Sequence, residues 1–307
     1  MKVAITGASG FLGSHCVAKA VEKGHLVRVL VRDPEKTTTA LEMHGIKKDL
    51  VEIVYADLAD ERSLDSGLEG VDTLLHTAAI FSLSPLDAKS MISINPSSTK
   101  TLLSSAMKHG LKKTVYVSTM GVFAPITGGD IDENTETSTG LGPYTKSKIE
   151  SEKIARDFQH GGAPVNIVYP GGIFGPKDPN PNLSDSMGML TEILKRNLGL
   201  TASSAKLAMV DVRDVADVCV GALEVESKNA RYHAWGELVT MDQVIDLVKK
   251  ITDRNIRFYS TPLFLLDAMG TFGEVFTLAT RIRLPFAKES MKMFTQNARV
   301  NGPGKID

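Results

Sequence analysis

MKVAITGASGFLGSH, residues 1–15, decides how the rest of the chain is read. A short apolar run ends at Thr6, and Gly7, Gly10 and Gly13 then follow at three-residue spacing. Glycine tolerates positive φ and, having no Cβ, lets backbone come close to backbone or ligand. A strand that passes through such a turn into a helix aims the first helical N–H groups, and the positive end of the helix dipole, at one point. That arrangement holds a pyrophosphate. The stretch therefore predicts a dinucleotide site lined by Gly7, Ser9, Gly10, Phe11, Leu12 and Gly13. A tight strand-to-helix turn without a ligand is the plain alternative.

The rhythm beyond the turn supports the dinucleotide reading. Apolar runs at 2–6, 26–31, 51–56, 72–77, 113–118 and 165–170 read as strands, and the segments between them have helix length. Helices are expected over 12–22, 87–109 and 144–159, the last introduced by Pro143, which suits a first helical position. Alternation of this kind predicts βαβ units, hence an α/β fold with a Rossmann-type doubly wound parallel sheet. Past residue 170 comes PGGIFGPKDPNPNLSDSMG, a loop composition, and the pattern turns mostly helical. The expected division is a dinucleotide-binding domain over 1–170, completed by about 207–235, and a smaller helical substrate lobe over 171–206 and 236–307.

Composition narrows the function. A chain of 307 residues with 42% hydrophobic side chains can fill a large core without staples. Lys and Arg number 35 against 36 acidic residues, so no basic surplus points to nucleic acid. Cys16 and Cys219 lie far apart in stretches of helical pattern and read as small buried apolar residues rather than a redox pair or metal site. No metal site is expected. Lys2 is followed by too few apolar residues for a signal peptide, and the location expected is cytoplasmic. The apolar stretch 261–280 is interrupted by Asp267, Glu274 and glycines, so no membrane span is expected, with surface association left open.

The second strand bears on which dinucleotide. A carboxylate closing this strand would accept from the adenosine ribose, but Val31 stands there and Arg32 follows. An arginine fork suits a 2′-phosphate, so NADP(H) is favoured and NAD(H) is the alternative; Asp33 is the complication, since it could bind ribose.

Reaction chemistry is suggested further along. Tyr144 and Lys148 are four residues apart, on one face of the expected helix. A phenol is a poor acid or base near neutrality, and a neighbouring cation draws its pKa toward the working range. The strand before it ends in Ser118 and Thr119, two hydroxyls at the carboxyl edge, where open α/β sheets bind ligands.

TGASGFLG, YADL at 55–58, HTAA at 76–79, VST followed by Y-x-x-x-K, then YPGGIFGP and VDVRDVADV run in order over about the first 220 residues. Together they resemble the extended or atypical short-chain dehydrogenase/reductases, within the NAD-dependent epimerase/dehydratase family. The resemblance implies Tyr144 as general acid, Lys148 as its tuner and a ribose ligand, and Thr119 as the partner hydroxyl with Ser118 its neighbour. It places Asp57 and Leu58 near adenine, Thr77, Ala78 and Ala79 along the cofactor, and Pro170, Gly171, Gly172 and Ile173 near nicotinamide. Departures are informative. Pro96 stands in the family's N-V-x-G-T segment and is expected to kink that helix, with Asn95 structural. Tyr169 replaces a substrate-side arginine. His76 reads as a hydrogen-bonded strand-end histidine rather than an acid.

Met120 and Gly121 occupy the positions where dehydratases of the family carry an acidic pair, and the Gly171–Gly172 pair resembles the dihydroflavonol reductase and 3β-hydroxysteroid dehydrogenase side. The expected activity is an NADPH-dependent reduction of a ketone or aldehyde. The expected partners are a small-molecule carbonyl substrate and, at most, a second copy of the chain in a homodimer. A sugar-nucleotide epimerase and a non-catalytic dinucleotide-sensing protein are the alternatives. Phe264, Leu265, Leu266, Met269, Phe272, Phe276, Met291, Met293 and Phe294 suggest an apolar pocket, with core packing as the rival reading. RVNGPGKID, at 299–307, stands where relatives continue into a further conserved segment.

Overall fold

The structure is a computed structural model that describes residues 1–125, 131–132, 134–180, 185–201, 206–236, 238–284 and 287–297. The segment 299–307 and the side chain of Phe294 lie outside them. Alternation holds through the first half: β1 (Lys2–Thr6), α1 (Phe11–Glu22), β2 (Leu26–Val31), α2 (Pro34–Glu42), β3 (Val51–Tyr55), α3 (Glu61–Leu68), β4 (Thr73–His76), α4 (Ala88–Lys108), β5 (Lys113–Val117), α5 (Pro143–His160) and β6 (Val165–Pro170). The remainder comprises β7 (Gly172–Phe174), α6 (Asp185–Arg196), β8 (Leu198–Thr201), β9 (Lys206–Asp211), α7 (Val212–Glu224), β10 (Arg231–Ala234), β11 (Leu238–Thr240), α8 (Met241–Thr252), β12 (Arg257–Ser260), α9 (Leu263–Thr280) and α10 (Lys288–Asn297).

Seven strands form one parallel sheet in the order β10-β6-β5-β4-β1-β2-β3. The chain's direction across the sheet reverses between β1 and β4, so the crevice of this fold opens beside the glycine turn. Both sheet faces are covered, which is why the strands read as continuous apolar runs. Val3 and Ile5 pack with Cys16, Val17, Val215 and Cys219 of α1 and α7, whereas Ala4 packs with Leu64, Leu68, Leu102 and Ala106 of α3 and α4. The two-residue period of β1 thus feeds two separate halves of the core. Cys16 and Cys219 are free, buried thiols, as the sequence reading expects. They are also hydrogen-bonded neighbours, and with burial this contact pushes the Cys16 thiol well above the ordinary range.

α4 runs uninterrupted through Pro96. Its packing on α5 and the bonds that Asn95 makes hold the helix across the missing N–H. The region after residue 170 carries the helices α6 to α10, in keeping with its pattern, and among the described residues it also contains the small sheets β11-β9-β7 and β12-β8. Their strands are three to six residues long and pair across distant segments, so no local alternation marks them.

α9 buries one narrow stripe, Leu266, Gly270, Gly273 and Thr277, and it packs against α10. Phe264 and Phe272 are 74% and 63% exposed, and Leu265, Val275 and Leu278 are exposed as well. The expected enclosure of these side chains in a pocket is therefore absent for Phe264, Leu265 and Phe272. By length and composition alone α9 is apolar enough to cross a membrane, and 22% of it is buried.

Candidate active site

At the switch point the glycine turn is packed to its limit. Gly7 has φ +77°, and a Cβ there would lie 2.6 Å from Thr77 Oγ1 and 2.8 Å from Ala78 N. A Cβ on Gly13 would lie 2.0 Å from the Gly7 carbonyl oxygen. Thr77 Oγ1 donates to Thr6 O at 2.7 Å, so the loop carrying Thr77, Ala78 and Ala79 is bound against the turn. The N-cap of α1 is Gly10, which offers no side-chain acceptor, and the first turn carries no acidic residue. The leading N–H groups of α1 are thus left for an external anion, with the dipole behind them. These residues fit a dinucleotide pyrophosphate.

At the far end of β2, Arg32 is exposed and makes no ion pair with any described residue. Asp33, the ambiguous neighbour, caps α2: its Oδ1 accepts from Lys36 N at 2.9 Å, and Pro34 occupies the first turn. The carboxylate is engaged in holding its own helix. Asp57 Oδ1 accepts from Ala59 N at 3.0 Å in a local turn, and Leu58 packs partly into the core.

α5 starts at Pro143, as expected, and carries Tyr144 and Lys148 one turn apart. Lys148 is 4% exposed, and its Nζ donates to Val117 O at 2.8 Å while lying 4.6 Å over the Tyr116 ring. Burial lowers its pKa to about 8, against a raising influence of Glu152. Tyr144 is half-buried, and its ring meets Phe81 edge-on at 4.7 Å between centroids.

Ser118 and Thr119 part company. Successive side chains of an extended segment point to opposite faces. Ser118 is buried and donates to Glu152 Oε2 at 2.7 Å. Thr119 is half-buried, and its Oγ1 accepts from Gly121 N at 3.2 Å, which leaves its own proton to donate. Glu152 is completely buried, and its Oε1 accepts from Arg156 at 2.8 Å and from the Tyr169 hydroxyl at 2.8 Å. Arg231 Nε donates to that same hydroxyl at 2.8 Å. Tyr169 is therefore turned into the core instead of standing in for a substrate-side arginine. The network clamps α5 to β5, β6 and β10 behind the edge that carries Tyr144 and Thr119.

His76 is 2% exposed, with Nδ1 2.9 Å from Thr6 Oγ1, and burial together with the Lys148 charge lowers its pKa to about 3. It is neutral and structural. Asn95 Oδ1 accepts from Ile80 N at 2.8 Å, and Nδ2 donates to Ser147 Oγ at 3.1 Å, tying the loop after β4 to α5. Pro170 closes β6. A Cβ on Gly171 would lie 2.6 Å from Ala208 O and 2.8 Å from Trp235 Cβ, so this glycine is demanded by packing, while Gly172 and Ile173 open β7. Phe81 and Glu152 were missed from sequence. Glu152 had a signal, since it lies four residues after Lys148 on the same helical face; Phe81 had none, because it stands in an irregular loop.

A family model described as the NAD dependent epimerase/dehydratase family matches residues 3–235. The chain is 29% identical over 255 residues to sterol demethylase protein B of Methylococcus capsulatus, covering 82% of this chain and 75% of that one. It is 28% identical over 266 residues to cinnamoyl-CoA reductase 1 of Arabidopsis thaliana, covering 81% and 74%. The crystal structure of gox2253 superposes with a TM-score of 0.76 at 26% identity, covering 95% of this chain and 87% of that one. With three quarters of its length inside the family model, the chain belongs to the NAD-dependent epimerase/dehydratase family and is an NAD(P)-dependent oxidoreductase of the short-chain dehydrogenase/reductase type.

Proposed function

We propose that the protein reduces the carbonyl group of a small, predominantly apolar ketone or aldehyde with NADPH, Tyr144 delivering the proton. The observation that carries this reading is the Tyr144 side chain, set one turn before buried Lys148 on α5 and against the exposed ring of Phe81. The coenzyme, when bound, supplies the hydride. Gly7, Ser9, Gly10, Phe11, Leu12 and Gly13 would hold its pyrophosphate, Asp57 and Leu58 would flank adenine, and Thr77 to Ala79 and Pro170 to Ile173 would border its path along the sheet edge. Thr119 has a proton free to bond the carbonyl oxygen. Lys148, with a pKa of about 8, is mostly protonated at neutral pH and keeps a positive charge on the face that bears the phenol. Ser118 is left out of the reaction because its hydroxyl is engaged by Glu152.

NADPH is favoured because Arg32 is free while Asp33 is occupied as a helix cap. The apolar substrate is favoured by Phe81, which is 45% exposed beside the phenol, and it agrees with the names of the sterol and cinnamoyl-CoA relatives. Asp267 and Glu274 interrupt the apolar run of α9, which speaks for a helix that does not span a membrane.

The test is NADPH consumption across a panel of aldehydes, ketones, sterol ketones, acyl-CoA thioesters and sugar nucleotides. Apolar carbonyls are expected to be reduced, and Tyr144→Phe is expected to lower kcat on the order of 10²- to 10⁴-fold with NADPH affinity retained. Epimerisation of a sugar nucleotide, followed by product chromatography because it consumes no net NADPH, with no carbonyl of the panel reduced, would replace the reading with an epimerase, and full activity of the Phe variant would remove Tyr144 from the chemistry.

A further inference from the structure

The helix that carries Tyr144 begins without a side-chain acceptor at its N-cap. Its N-cap is Gly142, and its first turn contains no acidic residue. Exposed first-turn N–H groups ordinarily find an acceptor in a Ser, Thr, Asp or Asn at the N-cap. Here the acceptor arrives from the other end of the chain. Glu289, on α10, accepts from Tyr144 N at 3.0 Å through Oε2, and through Oε1 it accepts from Thr145 N and the Thr145 hydroxyl, both at 2.8 Å. The carboxylate is 4% exposed, and it sits at the positive end of α5.

Further contacts make this a built joint. The Thr145 oxygen also accepts from Leu141 N at 2.8 Å and Gly142 N at 3.0 Å, which draws the entry loop into the same cluster. A Cβ on Gly142 would lie 2.6 Å from the carboxyl carbon of Glu289; its φ of −169° suits any residue, so glycine serves here to admit the carboxylate. α10 is itself held close to α9, where a Cβ on Gly270 would lie 3.0 Å from the Lys288 Cα.

We propose that Glu289 is a positioning residue for Tyr144, a latch through which α10 of the C-terminal lobe fixes the first turn of the reactive helix. The inference rests on the reductase reading above. Lys148 ties one turn of α5 to β5 through Val117 O, and Glu289 ties the preceding turn to α10, so the phenol is carried on backbone held from two sides. Transfer of a proton to a bound carbonyl is sensitive to shifts well below an ångström or two, and a helix start released at one end loses that register. Seating of the C-terminal lobe therefore reaches the chemistry through a carboxylate that touches neither substrate nor cofactor.

The test compares Glu289→Gln with Gly142→Ala, which leaves Glu289 in the chain but expels its carboxylate from the joint. Both are measured by amide hydrogen exchange over residues 141–149, NADPH affinity, and kcat and KM for the best carbonyl of the panel. The expected result in both is faster exchange at Tyr144 and Thr145, kcat lowered about tenfold, and NADPH affinity within about twofold of the parent. Should Glu289→Gln fail to fold, Gly142→Ala decides. Faster exchange with unchanged kcat would reduce Glu289 to a helix cap and overturn the positioning role. So would a parallel collapse of kcat, NADPH affinity and melting temperature. If the parent protein reduces no carbonyl, the reductase reading falls, and unchanged exchange in both variants would then separately remove the latch.

Discussion

β1 and α9 are both apolar stretches, yet they end in opposite surroundings. β1 lies at the centre of the sheet between β2 and β4 and buries Val3, Ala4, Ile5 and Thr6 completely. α9 presents Phe264, Leu265, Phe272, Val275 and Leu278 to solvent and buries only a stripe of four residues. The difference lies in neighbours rather than hydropathy. A central parallel strand has partners along both edges and helices over both faces, whereas α9 has α10 along one side and the short Pro85–Asp87 turn at another. Hydrophobic content says how much a segment could gain by burial; the topology decides whether it is buried.

The largest expected effect breaks the tight region. Gly13→Ala would set a Cβ 2.0 Å from the Gly7 carbonyl oxygen, where only backbone could yield. It is expected to cost at least about 3 kcal/mol in denaturant unfolding and to abolish dinucleotide binding. A fully stable, NADPH-binding variant would contradict the packing of the turn.

Arg32→Ala probes the open end of the same region. Loss of a charge-assisted contact to a 2′-phosphate is expected to weaken NADPH binding by roughly 10- to 100-fold and leave NADH binding nearly unchanged, as read by titration of both coenzymes. Equal losses for the two coenzymes would make Arg32 an ordinary surface residue.

A pH titration of stability sharpens the contrast further. His76 is held neutral in the sheet core with a pKa of about 3, while in the unfolded chain it protonates near 6.5. Between those values the unfolded state binds one more proton, so stability falls as pH drops below 6.5, by up to about 1.4 kcal/mol per pH unit. His44, lowered to about 4 by burial, acts in the same direction. His76→Gln is expected to be less stable at pH 7 and to show a shallower acid slope in denaturant unfolding; an unchanged slope would place the acid sensitivity elsewhere.

The smallest expected effect is in α9. Phe272→Ser, at a 63% exposed position, should change stability by less than about 0.5 kcal/mol, whereas Leu266→Ala on the buried stripe should cost about 2–3 kcal/mol. A large loss in the serine variant would mean that another surface covers the outer face of α9.

Much of the first lobe is legible in the chain because its determinants are local. The glycine spacing, the six apolar runs and the Pro143 start each state a conformation within a few residues, and the strands and helices form within one or two residues of the expected limits. The pairing on α5 is legible for the same reason, since Tyr144 and Lys148 share a face by periodicity alone. Thr119 was preferred to Ser118 on the family resemblance alone; the physical difference between them is Glu152, which engages Ser118 from 34 residues further on. Asp33 was ambiguous until its carboxylate was seen on Lys36 N.

By itself, then, the sequence determined the parallel α/β lobe, the dinucleotide turn and the phenol–ammonium pair, all of which follow from steric permission and helical or strand period over short spans. Only the tertiary structure decided which hydroxyl is spoken for, that Phe81 stands beside Tyr144, that α9 keeps Phe264 and Phe272 outside, and that Glu289 caps α5 from 145 residues away. These are contacts between segments whose separation is set by the whole chain's path, and no local preference for φ, ψ or burial encodes the partner a side chain will meet.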